Sequence, residues 1–276
     1  MPGNKRSVQT RRGMVIQERD RHLLGELSLM RVIDREQAKV VAGFGSTTRA
    51  NARLLALTRA ELLHRFFQGT MAGGAKALYT LSEKGARFVG VPASGPRRRE
   101  DQAVVADFFI QHQLGINEVY CALKYPKRMP EGIAFNRWMG FPKRPAPGMR
   151  VIPDGYVELL TPSGIAAAFL EVDLGHERLR VWRDKVRNYL DLAFTGNFER
   201  EFKQSRFRVL VVADSLRRLD SIRQAVLPLT DKIFWFTTFD SIRRDGVFAP
   251  IWTRPKGEAR QPLIPGTLPS APREIP

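Results

Sequence analysis

The sequence predicts a mixed α/β (α+β) protein of two domains, and three observations carry that expectation. A chain of 276 residues exceeds the usual size of one domain. Up to residue 58 the apolar residues recur at helical spacing, and two short alternating stretches follow. Beyond residue 100, strand-like and helix-like stretches succeed one another as far as residue 237.

Residues 1–17 hold Lys5-Arg6 and Arg11-Arg12 without periodicity and read as a basic, flexible arm suited to a phosphate backbone. Leu23, Leu24, Leu27 and Met30 mark a first helix from Glu18, and a second is expected over 34–42. Gly43-Phe44-Gly45 breaks the pattern. Ser46 is then the N-cap of a third helix through Thr58, with Leu54, Leu55 and Leu57 on its buried side and Thr47, Thr48, Arg49, Asn51 and Arg53 on its polar side. Residues 62–68 and 76–81 alternate like strands around the Gly-rich stretch 69–74.

Three helices and a two-stranded wing over residues 18–91 make a winged helix-turn-helix. The run Leu78-Tyr79-Thr80-Leu81-Ser82-Glu83-Lys84-Gly85 resembles the wing ending of prokaryotic DNA-binding domains. That resemblance implies a third helix in the major groove of double-stranded DNA. Arg49, Asn51 and Arg53 would then face base edges, Thr47 and Thr48 phosphate oxygens, and Lys76 the backbone. The alternative is an ordinary solvated helix face.

Charge agrees with a nucleic-acid partner. The formal net charge is +17, with 19 basic against 7 acidic side chains up to residue 99 (net +12) and 26 against 21 after it (net +5). Pro92, Ser94, Gly95 and Pro96 before Arg97-Arg98-Arg99 make 92–100 a linker that adds a basic cluster for DNA. No apolar run reaches the ~18 residues of a membrane span and no signal-peptide stretch follows the basic start, so a cytoplasmic protein is expected. The lone Cys121 excludes an internal disulfide and a cysteine-built zinc site. The absence of a GxxxxGK[ST] loop argues against ATP hydrolysis, and no Ser-His-Asp or paired-His signature stands out.

The second domain is expected over 101–253. Its elements are helices at 101–111 and 116–123, a strand at 133–139, strands at 151–160 and 165–173, a helix at 177–193, a strand at 207–212, a helix at 215–225 and a strand at 233–237. Residues 254–276 are Pro-rich and read as an extended or disordered tail. The turn Thr161-Pro162-Ser163-Gly164 would pair Leu160 with Ile165, which sets Asp154 across from Glu171, with Asp173 on the same side of its strand. Opposed carboxylates roughly 5 Å apart repel, and a divalent cation, Mg2+ or Mn2+, would reward them with Asp154, Glu171 and Asp173 as metal ligands. Lys185 and Tyr189 share a face of the next helix, flanked by Trp182.

Pro153-Asp154, Glu171-x-Asp173 and the Lys185-bearing helix resemble the PD-(D/E)XK, restriction-endonuclease-like superfamily, which implies a Mg2+-dependent endonuclease (phosphodiesterase). The superfamily places a lysine where Asp173 stands. Lys185 would supply that charge from the helix, and Lys185-x-x-x-Tyr189 resembles the Gln-x-x-x-Tyr element of RecB-type nucleases. Glu177 either assists or only favours the helix start, and His176 reads as a surface or capping residue. The alternative is a retired site in which Asp173 pairs with Arg178 or Arg180, Lys185 lies beside Trp182 and Tyr189 is core.

Taken together, the winged helix, Ile152-Pro153-Asp154, the stretch from Phe169 to Glu177, Lys185-x-x-x-Tyr189, Phe234-Trp235-Phe236-Thr237-Thr238 and Pro250-Ile251-Trp252 resemble the replication-relaxation family over residues 18–253. The chain departs from it at Leu174 and His176, where members carry Arg and Thr nearby. The resemblance implies a DNA-binding protein of a plasmid or mobile element in replication or DNA relaxation and mobilisation, working with a relaxase or replication protein, with nicking activity and homodimer formation as further expectations. The rivals are a non-catalytic transcriptional regulator or replication initiator and a restriction-like endonuclease.

Overall fold

The computed structural model describes residues 14–69, 73–91 and 103–266. Most of the basic arm, the wing tip at 70–72, the linker with Arg97, Arg98 and Arg99, and residues 267–276 lie outside the described residues. The chain is mixed α/β with two sheets, and it divides into two compact units, Met1–Cys121 and Ala122–Pro276.

The first unit runs α1 (Glu18–Met30), β1 (Val32–Asp34), α2 (Arg35–Ala42), α3 (Thr47–Arg59), β2 (Leu63–Gly69), β3 (Ala75–Leu81) and α4 (Glu83–Val89), and takes in most of α5 (Ala103–Lys124). Its antiparallel sheet has the order β1-β3-β2. Each helix start is set by a short polar side chain: Asp34 accepts the Gln37 N–H at 2.8 Å and Ser46 the Arg49 N–H at 3.3 Å. The Ser82-Glu83-Lys84-Gly85 run has a physical reason. Ser82 caps α4 by accepting the Gly85 N–H and donates to the Glu61 carbonyl, while a Cβ on Gly85 would lie 2.1 Å from the Leu62 carbonyl oxygen.

Two expectations are corrected here. The helices at 101–111 and 116–123 are one helix, α5, which passes through Gly115 unbroken. Its residues up to Cys121 belong with the first unit, so the division falls later than the linker. The reason is packing. Ile110 and Leu114 join a buried cluster with Val32 and Leu78, and Asn117 donates to the carbonyls of Met30 at 3.0 Å and Val32 at 2.6 Å. These contacts outweigh the ~1 kcal/mol that an interior glycine costs a helix.

The second unit contains β4 (Ala134–Met139), β5 (Gly155–Thr161), β6 (Gly164–Asp173), α6 (Leu179–Phe194), α7 (Asn197–Phe202), β7 (Arg208–Ala213), α8 (Leu216–Val226), β8 (Phe234–Thr238) and α9 (Phe239–Asp245). The sheet order is β4-β5-β6-β7-β8, antiparallel through β6 and parallel from β6 to β8. Leu160 pairs with Ile165, as the turn length requires. On one face, Phe169, Tyr189, Phe198, Phe202 and Phe207 form an aromatic core, and α6 packs there through Trp182, Val186 and Tyr189. The tail expected from residue 254 is packed as far as it is described. Gln261 pairs with Trp252 in an antiparallel bridge, and Leu263 and Ile264 are buried.

Candidate functional site

In the first unit, α3 and the β2–β3 hairpin wall a cleft of about 600 Å3 lined in part by Thr48, Asn51, Leu55, Arg65, Phe67 and Lys76. Residues 48, 51, 52 and 55 follow i, i+3, i+4, i+7 and therefore share the open face of α3. Thr48, Arg49 and Asn51 are exposed and form no side-chain hydrogen bond or ion pair among the described residues. Thr47 is half-buried, with its hydroxyl 3.4 Å from Lys39 Nζ. Lys76 is ion-paired with Asp34.

Arg53 is turned away from this face. Its guanidinium donates to both oxygens of the fully buried Asp20 and to the Val15 carbonyl, and Asp20 also accepts the Gln17 N–H. The spacing explains the correction: Arg53 lies with Ala50, Leu54 and Leu57 on the buried stripe, so it ties α3 to the start of α1 instead of facing outward. Replacing Arg53 by Ala strands a buried carboxylate, and calorimetry should show the first unit losing about 3–5 kcal/mol. Arg65 and Phe67 were not foreseen as cleft residues. Their alternation on β2 was legible, but which face met α3 was not.

In the second unit, Pro153 has no N–H to extend the ladder, so β5 begins at Gly155. Asp154 donates its N–H to the Leu170 carbonyl at 3.1 Å, and its Oδ2 accepts the Val172 N–H at 2.7 Å. One step beyond the Gly155–Leu170 pair, this brings Asp154 beside Glu171. Lys185 Nζ donates to Glu171 Oε2 at 2.8 Å, and the Tyr189 hydroxyl donates to Oε1. Glu177 Oε2 lies 2.8 Å from Lys185 Nζ as an ion pair without hydrogen-bond geometry. The ammonium also sits 4.9 Å from the centre of the Trp182 ring. The structure therefore brings Asp154, Glu171, Lys185 and Tyr189 together and adds Glu177.

Asp173 is directed elsewhere. Its Oδ1 accepts from Gly175 N–H and Arg218 Nε and its Oδ2 from Trp182 Nε1 and Arg218 Nη2, all at 2.7 Å. Its partner is Arg218, 45 residues away on α8, not Arg178 or Arg180. No sequence spacing signals that pairing. Four donors fill the lone-pair sites of one carboxylate, and among the described residues no group of three or more His, Cys, Asp or Glu side chains is arranged to hold a metal ion. The set Asp154, Glu171 and Asp173 expected for Mg2+ or Mn2+ does not fit such an ion as arranged, because Asp173 is saturated and the Lys185 ammonium already answers Glu171. His176 is exposed.

Electrostatics follow burial. Burial outweighs the Lys185 charge at Glu171, and with the nearby Asp154 charge it pushes the carboxyl up to about 7. Burial pulls Lys185 down, but Glu171, Glu177 and Asp154 together hold it above the ordinary lysine range. Tyr189 is raised well above the usual phenol by burial and then by Glu171. Burial would raise Asp173, yet its Arg218, Trp182 and Gly175 hydrogen bonds prevail and hold it below the carboxylate norm. Since Glu171 is raised on folding, the folded state retains a proton that the unfolded chain releases. Its contribution to stability is full below the unfolded value near 4.5 and is lost as pH rises through about 7. Urea unfolding should therefore show wild type weakening between pH 4.5 and 7 relative to Glu171→Gln, which lacks that titration.

Among the described residues no helix is long and apolar enough to cross a membrane. A family model described as Replication-relaxation matches residues 23–204. Searches of curated proteins and of solved structures return no match.

Proposed function

The chain belongs to the replication-relaxation family, and from that premise we propose that it is a DNA-binding protein acting in plasmid or mobile-element replication or DNA relaxation. The first unit is read as a winged helix-turn-helix, with α3 as the element that enters the major groove and the β2–β3 hairpin as the wing. The observation that carries this reading is the open face of α3, where Thr48, Arg49 and Asn51 stand clear of intramolecular ion pairs beside a cleft walled by the hairpin. The net charge of +17 supplies the long-range attraction. Binding to double-stranded DNA should weaken steeply with salt, by roughly 0.9 log units of affinity per log unit of salt for each phosphate neutralised. A salt titration of anisotropy with labelled duplex checks this, and a flat response would overturn the reading. A relaxase or replication protein is the partner the family suggests, and a cytoplasmic site of action fits such a role.

In the second unit, the antiparallel β4-β5-β6 followed by α6 and the parallel β7 supports a PD-(D/E)XK-like reading. We read its Glu171–Lys185 site as a closed ion-pair arrangement that serves binding or assembly, homodimer formation included. One observation favours a second reading, nicking with Mg2+ or Mn2+: Asp154, Glu171, Lys185 and Tyr189 converge as the superfamily resemblance implies. Supercoiled plasmid incubated with the protein and either cation should stay supercoiled. Open circles that vanish on Asp154→Asn would replace the first reading by the second.

A further inference from the structure

The cleft beside α3 is not built as a phosphate cradle. Its lining is largely apolar, with Leu55, Ala77 and the ring of Phe67, and Phe67 remains 50% exposed on the hairpin surface facing the helix. Across the ladder from Phe67 stands Ala77, too small to cover an aromatic ring. The acids at the rim are neutralised: Asp34 pairs with Lys76, and Glu36 with Arg35 at 2.9 Å and Lys39 at 3.2 Å. Arg65 holds its guanidinium 4.6 Å from the centre of the Phe67 ring and forms no ion pair among the described residues. An aromatic face kept in water beside an unneutralised cation suits a flat, uncharged ring attached to an anion.

We propose that this cleft is a stacking site for an unpaired nucleobase of locally opened DNA. Phe67 is the platform, Arg65 meets the adjoining phosphate, and the Asn51 amide on the opposite wall meets the base edge. A paired base keeps its faces against its neighbours in the helix, so intact duplex cannot fill the site, whereas an opened strand can. The volume of about 600 Å3 lies within the ~300–1,000 Å3 of ligand pockets and admits a nucleotide. The inference deepens the DNA-binding reading and rests on it: α3 would hold the duplex while the hairpin prefers a site that is opening.

The test compares anisotropy of the full chain on a duplex and on the same duplex with a short mismatched bubble, at one salt concentration. Base stacking on an aromatic predicts about tenfold tighter binding to the bubble. Phe67→Ala should remove that preference while duplex affinity stays within about twofold, since the ring faces no paired base. Phe67→Leu keeps the apolar bulk and should lose the preference equally, and Phe67→Tyr keeps the ring and should retain it. Equal binding of bubble and duplex by wild type, a parallel loss on both DNAs in Phe67→Ala, or retention of the preference in Phe67→Leu overturns the stacking site alone. Failure of wild type to bind either DNA overturns the DNA-binding reading itself.

Discussion

Replacing Lys185 by Met is expected to cost the second unit about 3–5 kcal/mol at neutral pH, the usual consequence of leaving a buried charge without its partner. Glu171 is 1% exposed and Lys185 12%, so water cannot take the place of the lost ammonium. Tyr189 would remain the only printed donor to Glu171, and the carboxyl would take up a proton to limit the damage. The loss should accordingly be small near pH 5 and grow toward pH 8. All four tryptophans, at 138, 182, 235 and 252, lie in this unit, so intrinsic fluorescence during urea unfolding reports on it alone. Adding Glu171→Gln to Lys185→Met should recover most of the loss, because an amide carries no charge to strand. A single variant that loses less than about 1 kcal/mol would mean that the pair is hydrated in solution.

The double replacement of Arg49 and Asn51 by Ala should lower affinity for a specific duplex by about a hundredfold or more, at ~1–3 kcal/mol for each base contact removed. Both side chains are exposed, so thermal unfolding should be unchanged. Arg53→Ala is the contrasting control, since it removes a structural tie to Asp20 and should weaken folding before it alters sequence preference. Competition against unrelated duplex separates the two effects: Arg49 and Asn51 should carry the discrimination, and Arg53 none of it. Equal effects of all three on specificity would show that α3 does not read bases.

Local features of the chain were readable where the physics is local. The start of α3 follows from Ser46, whose hydroxyl accepts an orphan N–H, and the β5–β6 register follows from the four-residue turn, which leaves Leu160 no partner but Ile165. The open stripe of α3 was readable as well, but Arg53 was assigned to it because Arg is usually solvated. Its position between Ala50 and Leu54 on the buried side was the overlooked signal. The continuity of α5 through Gly115 depended on a sheet that no spacing within the helix announces.

Sequence alone determined the basic character of the first hundred residues, the capped helices and hairpins, and the adjacency of Asp154 to Glu171, because charge, capping and turn length act over a few residues. Tertiary structure decided where the remaining charges go. Arg218 reaches Asp173 from a helix 45 residues later, Glu177 joins Lys185, and α5 packs with the first unit. A buried carboxylate accepts whichever donor the fold delivers within hydrogen-bond reach, and that delivery is a property of packed elements far apart in the chain.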